Sequence, residues 1–161
     1  QLAHKAGVSV GDVKNVIVWG NHSDTQVPDV SFATLKGVNA IEAMPNEKEW
    51  LQDDFMRIVQ KRGAAVIDAM KKSSAASAAN AAVEHMRSWV LGTAEGEYVS
   101  MAVPSNGEYG VPKDLIFSYP CTCKNGVYTI VPNLAVSDFI QQKMKISWEQ
   151  LQQEENDWKK K

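Results

Sequence analysis

Two Asn-Gly dipeptides in the second half of the chain place the strongest constraint on its fold. Asn-Gly favours the tight turn of a β-hairpin, because both residues readily adopt positive φ angles. Asn125-Gly126 separates the β-branched and aromatic runs 115–123 and 127–131, and Asn106-Gly107 follows the extended run 98–103. This spacing predicts antiparallel strands over the second half of the chain.

The first half combines one predicted strand with helices. Residues 13–19 are rich in branched and aromatic side chains, which favours a strand. Asn46 is a residue type that caps helix N-termini, and helical spacing of apolar residues continues from there to about Lys61. After an expected bend at Gly63, a second helical segment reaches Met70.

Two further helices are predicted. The first runs from Ser73-Ser74 to about Val90 and is dominated by small residues, which fits either a helix in a crowded core or a helix at a subunit contact. The second begins at Ser137, and Ser147 is a further N-cap candidate that predicts a break in it. Helices combined with antiparallel strands indicate an α+β fold, with an antiparallel sheet packed against helices.

Composition excludes several functional classes. A length of 161 residues with 44% hydrophobic and 22% charged residues is typical of one soluble globular domain. The formal charge is −2 with scattered basic residues, so no nucleic-acid surface is predicted. The apolar runs are too short to cross a membrane. No Gly-x-Gly-x-x-Gly turn follows a strand, so the chain has no dinucleotide-binding fingerprint of its own.

Cysteine and histidine positions give no metal-site pattern. Cys121 and Cys123 are one residue apart and would share one face of a strand, so we interpret them as reduced packing residues in a reducing compartment. The three histidines, His4, His22 and His85, are far apart with no carboxylate spacing to support them. No metal site is therefore predicted.

The beginning of the chain resembles the end of a helix. Residues 1–6 favour a helix that stops at Gly7, a typical C-cap residue, yet they provide no N-cap and no initiator methionine. A helix of this length is marginal by itself. We therefore expect the chain to be part of a longer protein.

His22 is the candidate catalytic residue. It follows the apolar run 16–19, at the point where a buried strand would become a loop. An imidazole in that position can take up and return a proton near neutral pH. A lone histidine can also be a surface residue or a satisfied core residue. A Ser23-His22-Asp24 triad is excluded, because adjacent side chains on an extended segment point in different directions.

Several segments in the same order resemble the NAD-dependent malate dehydrogenase family, specifically its cytosolic type and only its C-terminal, catalytic half. The segments that carry the resemblance are 12–23, 60–67, 73–79, 92–96, 99–101, 109–112 and 118–120. The resemblance implies that residues 1–161 form the substrate domain of the lactate/malate dehydrogenase fold. It also implies that a Rossmann domain, which would hold most of the NAD, precedes residue 1.

The resemblance assigns roles to two residues. His22 matches the family's proton acceptor in the interconversion of malate and oxaloacetate, and Ser73 matches a residue at the nicotinamide and substrate end of the pocket, although Ser73 could equally cap a helix. The aspartate that orients the histidine and the substrate-binding arginines would lie upstream. The full-length enzyme is expected to be a cytoplasmic homodimer. The rival hypothesis is a non-catalytic interaction or dimerisation module that keeps the fold.

Overall fold

The computed structural model describes residues 1–160. The helices are α1 (Leu2–Ala6), α2 (Ala40–Ala43), α3 (Phe55–Gln60), α4 (Arg62–Met70), α5 (Ala75–Leu91) and α6 (Asp138–Lys159). The strands are β1 (Val13–Lys14), β2 (Ile17–Trp19), β3 (Val27–Asp29), β4 (Thr34–Leu35), β5 (Val38–Asn39), β6 (Val99–Pro104), β7 (Ile116–Lys124) and β8 (Val127–Ile130). This arrangement confirms the predicted α+β class.

The largest sheet is the antiparallel set β6-β7-β8. Asn125 and Gly126 join β7 to β8 with φ angles of 53° and 76°, which are the positive values that a two-residue hairpin turn requires. Cys121 and Cys123 are both buried free thiols on one face of β7, as the alternation of side chains along a strand predicts. The local hairpin signal therefore accounts for the register of β8 against β7, which begins at the pair Lys124 and Val127.

The single strand predicted over residues 13–19 is two strands in different sheets. Asn15 has a φ of 59°, and its side chain donates to the Gly96 carbonyl at 3.0 Å and accepts from the Tyr98 amide at 3.1 Å. This left-handed residue ends β1, which pairs with β4, and starts the chain toward β2, which pairs with β3. Asparagine tolerates that conformation because its short polar side chain can hydrogen-bond to nearby backbone.

Three predicted helix boundaries differ from the structure. Asn46 is not an N-cap but lies inside the 3₁₀ turn Pro45–Glu47, which starts with proline at its first position. The break between α3 and α4 falls at Lys61, with φ −97° and ψ 7°, rather than at Gly63. Helix α6 runs through Ser147 without a break, because that buried serine hydrogen-bonds to another segment instead of starting a new helix.

The core lies between the large sheet, β2 and α6. Its most buried large side chains include Trp19, Phe117, Tyr119 and Met144, each 0% exposed. The Trp19 indole donates to the buried Asp29 carboxylate at 3.1 Å, and the Tyr119 hydroxyl donates to Ser105 Oγ at 2.8 Å. The core therefore holds β2, and with it the start of the loop that follows, against the sheet.

No helix within residues 1–160 is both long and apolar enough to cross a membrane.

Burial of ionisable groups in this core predicts a loss of stability at high pH. Burial raises the pKa of Tyr119 from an ordinary value of 10.0 to about 12, and burial raises the pKa of Cys121 from 9.0 to about 12. Between the ordinary pKa and the raised pKa of each group, the unfolded chain releases a proton that the folded chain retains. The free energy of unfolding therefore falls as pH rises from about 9 to about 12. Urea unfolding at pH 8, 10 and 11.5 should show this decline, and Tyr119→Phe should make it shallower above pH 10. A flat pH dependence would contradict it.

Candidate active site

His22 lies in the loop between β2 and β3, and its side chain is exposed to solvent. Strand β2 ends at Trp19, the loop runs over residues 20–26, and the chain returns through β3, beginning at Val27. The predicted position at the end of a buried strand is therefore the position observed. No residue within 1–160 hydrogen-bonds to the His22 imidazole, so within this chain its placement depends on the backbone on either side of it.

The large sheet fixes the backbone just before the loop. Gly20 and Ser118 exchange backbone hydrogen bonds of 3.2 and 3.0 Å, which extend the contact between β2 and β7 by one residue. The Ser118 hydroxyl donates to the Val18 carbonyl at 2.6 Å, and the Val18 amide donates to Ser100 Oγ at 2.9 Å. The backbone is thus held by β6 and β7 as far as Gly20, two residues before His22.

Helix α6 also contacts the loop, beginning at the residue just before His22. The Asn21 amide donates to Ser147 Oγ at 2.8 Å. The close approach requires glycine at position 20, because a Cβ there would lie 2.3 Å from Ser147 Oγ and 2.9 Å from Ser147 Cβ. Gly20 also has a φ of 98°, which side chains rarely allow.

One turn further along α6, Gln150 binds the loop on the C-terminal side of His22. Its Oε1 accepts from Ser23 Oγ at 2.8 Å and from Thr25 Oγ1 at 2.6 Å. The two hydroxyl oxygens lie 2.8 Å apart, so Ser23, Thr25 and Gln150 form one polar cluster. The residues on both sides of His22 are therefore attached to one helix.

A cleft of about 700 Å³ opens beside His22. Its walls are the loop itself and the junction of α3 with α4, and the Gln60 side chain joins these walls by donating to the Gln26 carbonyl at 2.7 Å. Lys61 and Arg62 line the cleft, opposed by the carboxylate of Asp24. This volume suits a small ligand, and the excess of positive charge favours an anion. An exposed imidazole here could exchange a proton with an anionic ligand.

Ser73 does not line this cleft. It is exposed at the start of α5, where its Oγ accepts from the Ala75 amide at 3.1 Å. This contact supports the helix-capping alternative, and the pocket role remains a prediction. His85 lies on the same helix with its ring edge-on to Trp89, 6.2 Å between ring centres, and it does not line the cleft beside His22. Among residues 1–160, no three potential ligand side chains cluster as a metal site would need.

The sequence reasoning missed Ser147 and Gln150. Serine often starts helices, which favours an N-cap at Ser147, yet the spacing of Ser147 from Ile140 and Met144 places it on the same helical face as these buried residues. A polar residue in an apolar stripe indicates a buried hydrogen-bond partner. That signal identifies Ser147 as a buried hydrogen-bonding residue, but it does not identify Asn21 as the partner.

The chain is similar to known proteins along its whole length. Residues 1–161 match the family model described as "lactate/malate dehydrogenase, alpha/beta C-terminal domain". The chain is 54% identical over 154 residues to a Dictyostelium discoideum protein named "Probable malate dehydrogenase 3", covering 94% of the chain and 46% of that protein. It is 48% identical over 159 residues to "Malate dehydrogenase, cytoplasmic" of Medicago sativa, covering 97% of the chain and 48% of that protein.

A solved structure shows the same fold. The Trichomonas vaginalis lactate dehydrogenase in complex with NADH and oxamate is 31% identical to this chain and superposes with a TM-score of 0.86 over 96% of the chain and 48% of that protein. The chain thus spans about half the length of the relatives it matches. The resemblance found in the sequence is confirmed, and the chain belongs to the lactate/malate dehydrogenase family as its C-terminal α/β domain.

Proposed function

We propose that this chain is the catalytic domain of an NAD-dependent malate dehydrogenase in which His22 accepts the proton of the substrate hydroxyl. The observation that carries the proposal is the placement of His22, between two residues anchored to α6 and at the edge of a cleft lined by Lys61 and Arg62. The names of the Dictyostelium and Medicago relatives support malate as the substrate.

In the proposed reaction, the His22 imidazole removes the proton from the C2 hydroxyl of malate while the C2 hydrogen departs as hydride. NAD supplies the acceptor for that hydride. In the reverse direction, the imidazolium returns its proton to the oxygen at C2 as oxaloacetate is reduced. The loop holds the backbone on both sides of His22, and the same imidazole serves as base in one direction and as acid in the other. The positive potential of Lys61 and Arg62 would attract the dicarboxylate.

The described residues suit the substrate end of the site rather than the nucleotide end. Residues 1–160 form no glycine-rich turn between a strand and a helix, the usual cradle for a pyrophosphate. NAD would therefore be held mainly by a domain preceding residue 1. The Trichomonas relative, solved with NADH and oxamate, supports a site that takes both a nicotinamide cofactor and a small carboxylate.

The exposed apolar side chains of α4 and α5 are consistent with a larger assembly. Ile67, Met70, Val83, Met86 and Val90 are each about half exposed or more, and no residue of α5 is buried within the described part of the chain. Of the two alternatives for residues 73–90, the absence of a buried residue in α5 within the described part of the chain argues against a core helix, and the subunit contact remains a prediction. We propose that the preceding domain or a second copy covers this surface, in a cytoplasmic homodimer.

We expect the 161-residue chain alone to lack dehydrogenase activity. Activity should appear in a two-domain protein made by joining the N-terminal half of the Medicago relative, which this chain does not match, before residue 1, because we propose that such a half holds the cofactor beside the His22 cleft. Malate-dependent formation of NADH, followed by absorbance at 340 nm, measures both proteins. Turnover by the chain alone, or a folded two-domain protein without turnover, would contradict the proposal.

The non-catalytic alternative has one observation in its favour, the uncovered apolar surface of α4 and α5. An interaction module would use that surface and would not need the anchored loop. Size-exclusion chromatography of the chain measures its self-association. A two-domain protein that associates normally yet never oxidises malate would favour this alternative.

A further inference from the structure

We infer that Ser147 and Gln150 are positioning residues for His22: the C-terminal helix α6 holds the histidine loop in its reactive place through these two side chains. The inference rests on the proposed role of His22. It assigns a specific task to a helix that lies more than 110 residues further along the chain than His22. Neither side chain lines the cleft, so neither is a catalytic residue.

The hydrogen bonds from α6 converge on the residues that flank His22. The Asn21 amide binds Ser147 Oγ at 2.8 Å, and the Ser23 hydroxyl binds Gln150 Oε1 at 2.8 Å, so one anchor precedes the histidine and one follows it. Further along the same face of α6, Glu154 Oε1 accepts from the Asn21 side-chain amide at 3.2 Å. Residues three and four apart share a helix face, so positions 147, 150 and 154 form one polar stripe along the loop.

The composition of α6 changes where it passes the loop. Ile140 and Met144 are buried against the core, and the next position on that face would ordinarily also be apolar. The residue there is Ser147, which is 0% exposed. Burying a hydroxyl costs free energy unless the hydroxyl is hydrogen-bonded, and alanine would suit a helix better. The benefit of serine at this site is its bond to the Asn21 amide.

Two features make His22 sensitive to these anchors. Its imidazole has no hydrogen-bond partner within residues 1–160, and its side chain is exposed, so packing in this domain does not orient it. The backbone before it is held by Ser118 only as far as Gly20. From Asn21 to Thr25 the hydrogen bonds that the loop makes to other segments of residues 1–160 all go to α6, so loss of an anchor would displace the imidazole itself.

The test compares three single variants of the two-domain protein, each with one substitution in α6. Ser147→Ala removes the acceptor for the Asn21 amide, and Gln150→Met removes the acceptor for Ser23 and Thr25 at nearly constant size. A displacement of about 1 Å can cost about 100-fold in rate, so we expect kcat to fall roughly 10- to 100-fold with KM for NAD unchanged. Gln150→Glu keeps an oxygen acceptor and should recover most of the loss.

Gln142→Met is the matched control, because Gln142 is an exposed glutamine of α6 whose side chain makes no hydrogen bond within residues 1–160. It should retain the parent kcat. A merely structural role would lower the thermal midpoint of the Ser147 and Gln150 variants but not kcat per folded molecule, nor would it explain recovery by glutamate. In the 161-residue chain, hydrogen exchange of the Asn21 amide should accelerate at least 10-fold in Ser147→Ala.

The outcomes separate this inference from the proposed function. If His22→Asn abolishes turnover while Ser147→Ala and Gln150→Met retain the parent kcat, the positioning role is overturned and the function stands. If His22→Asn itself retains turnover, the proposed function fails. Unchanged exchange of the Asn21 amide in Ser147→Ala would also overturn the positioning role, because the bond would then not restrain the loop.

Discussion

Replacing His22 by asparagine in the two-domain protein is expected to lower kcat for malate oxidation by about 100- to 10,000-fold, the usual contribution of a general base. The asparagine amide can hydrogen-bond to the substrate hydroxyl but cannot accept its proton near neutral pH. His22 is exposed and its side chain has no partner in the described part of the chain, so the substitution should leave the fold intact. Turnover is measured by NADH formation, and NADH binding by fluorescence should be unchanged.

His85→Asn is the matched control for this change. His85 lies on α5, with its ring against Trp89, and does not line the cleft beside His22. The control should keep the parent turnover. If His22→Asn kept a kcat within twofold of the parent, while thermal unfolding showed both variants folded, His22 would not be the proton acceptor.

Gly20→Ala is expected to reduce the free energy of unfolding by about 3 kcal/mol, the sum of a left-handed alanine and an overpacked contact. The new Cβ would lie 2.3 Å from Ser147 Oγ, a distance that no packed pair tolerates, so α6 or the loop must move. Either movement separates the Asn21 amide from its acceptor. We therefore expect turnover of the two-domain protein to fall together with stability, which urea unfolding measures.

Two further variants separate the contact from the backbone strain. Gly126 also has a positive φ, 76°, but a Cβ there would meet nothing within 4 Å, so Gly126→Ala should cost only about 1 kcal/mol. Adding Ser147→Gly to Gly20→Ala removes both clashing atoms and should recover part of the helix packing, though not the lost hydrogen bond. Equal costs for Gly20→Ala and Gly126→Ala would show that the approach of α6 is not tight.

Features that depend on neighbouring residues were predictable. Asn125-Gly126 makes its turn through its own φ angles, and Gly7 ends α1 in the left-handed conformation with φ 66°. Ser137 caps α6 by accepting from the Ile140 amide, a contact three residues long. Each of these signals acts within a few residues, so the local sequence contains all the information needed.

Features that depend on distant partners could not be predicted from the sequence. Asn15 divides a predicted strand because its side chain binds residues 96–98, about 80 positions away. Ser147 has the residue type of an N-cap, yet its hydroxyl serves Asn21, 126 positions earlier. A serine or asparagine can hydrogen-bond either locally or at long range, and only the packed structure decides which partner is present.

The sequence by itself determined the class of fold, the family and the identity of the candidate base, because strand and helix periodicity, turn residues and ordered motifs are properties of short segments. Only the tertiary structure decided what holds that base. The anchors on the residues that flank His22 come from β7 and α6, which the chain reaches about 100 and 125 residues later. Gly20 makes their meeting possible, since any larger residue would keep α6 from the loop.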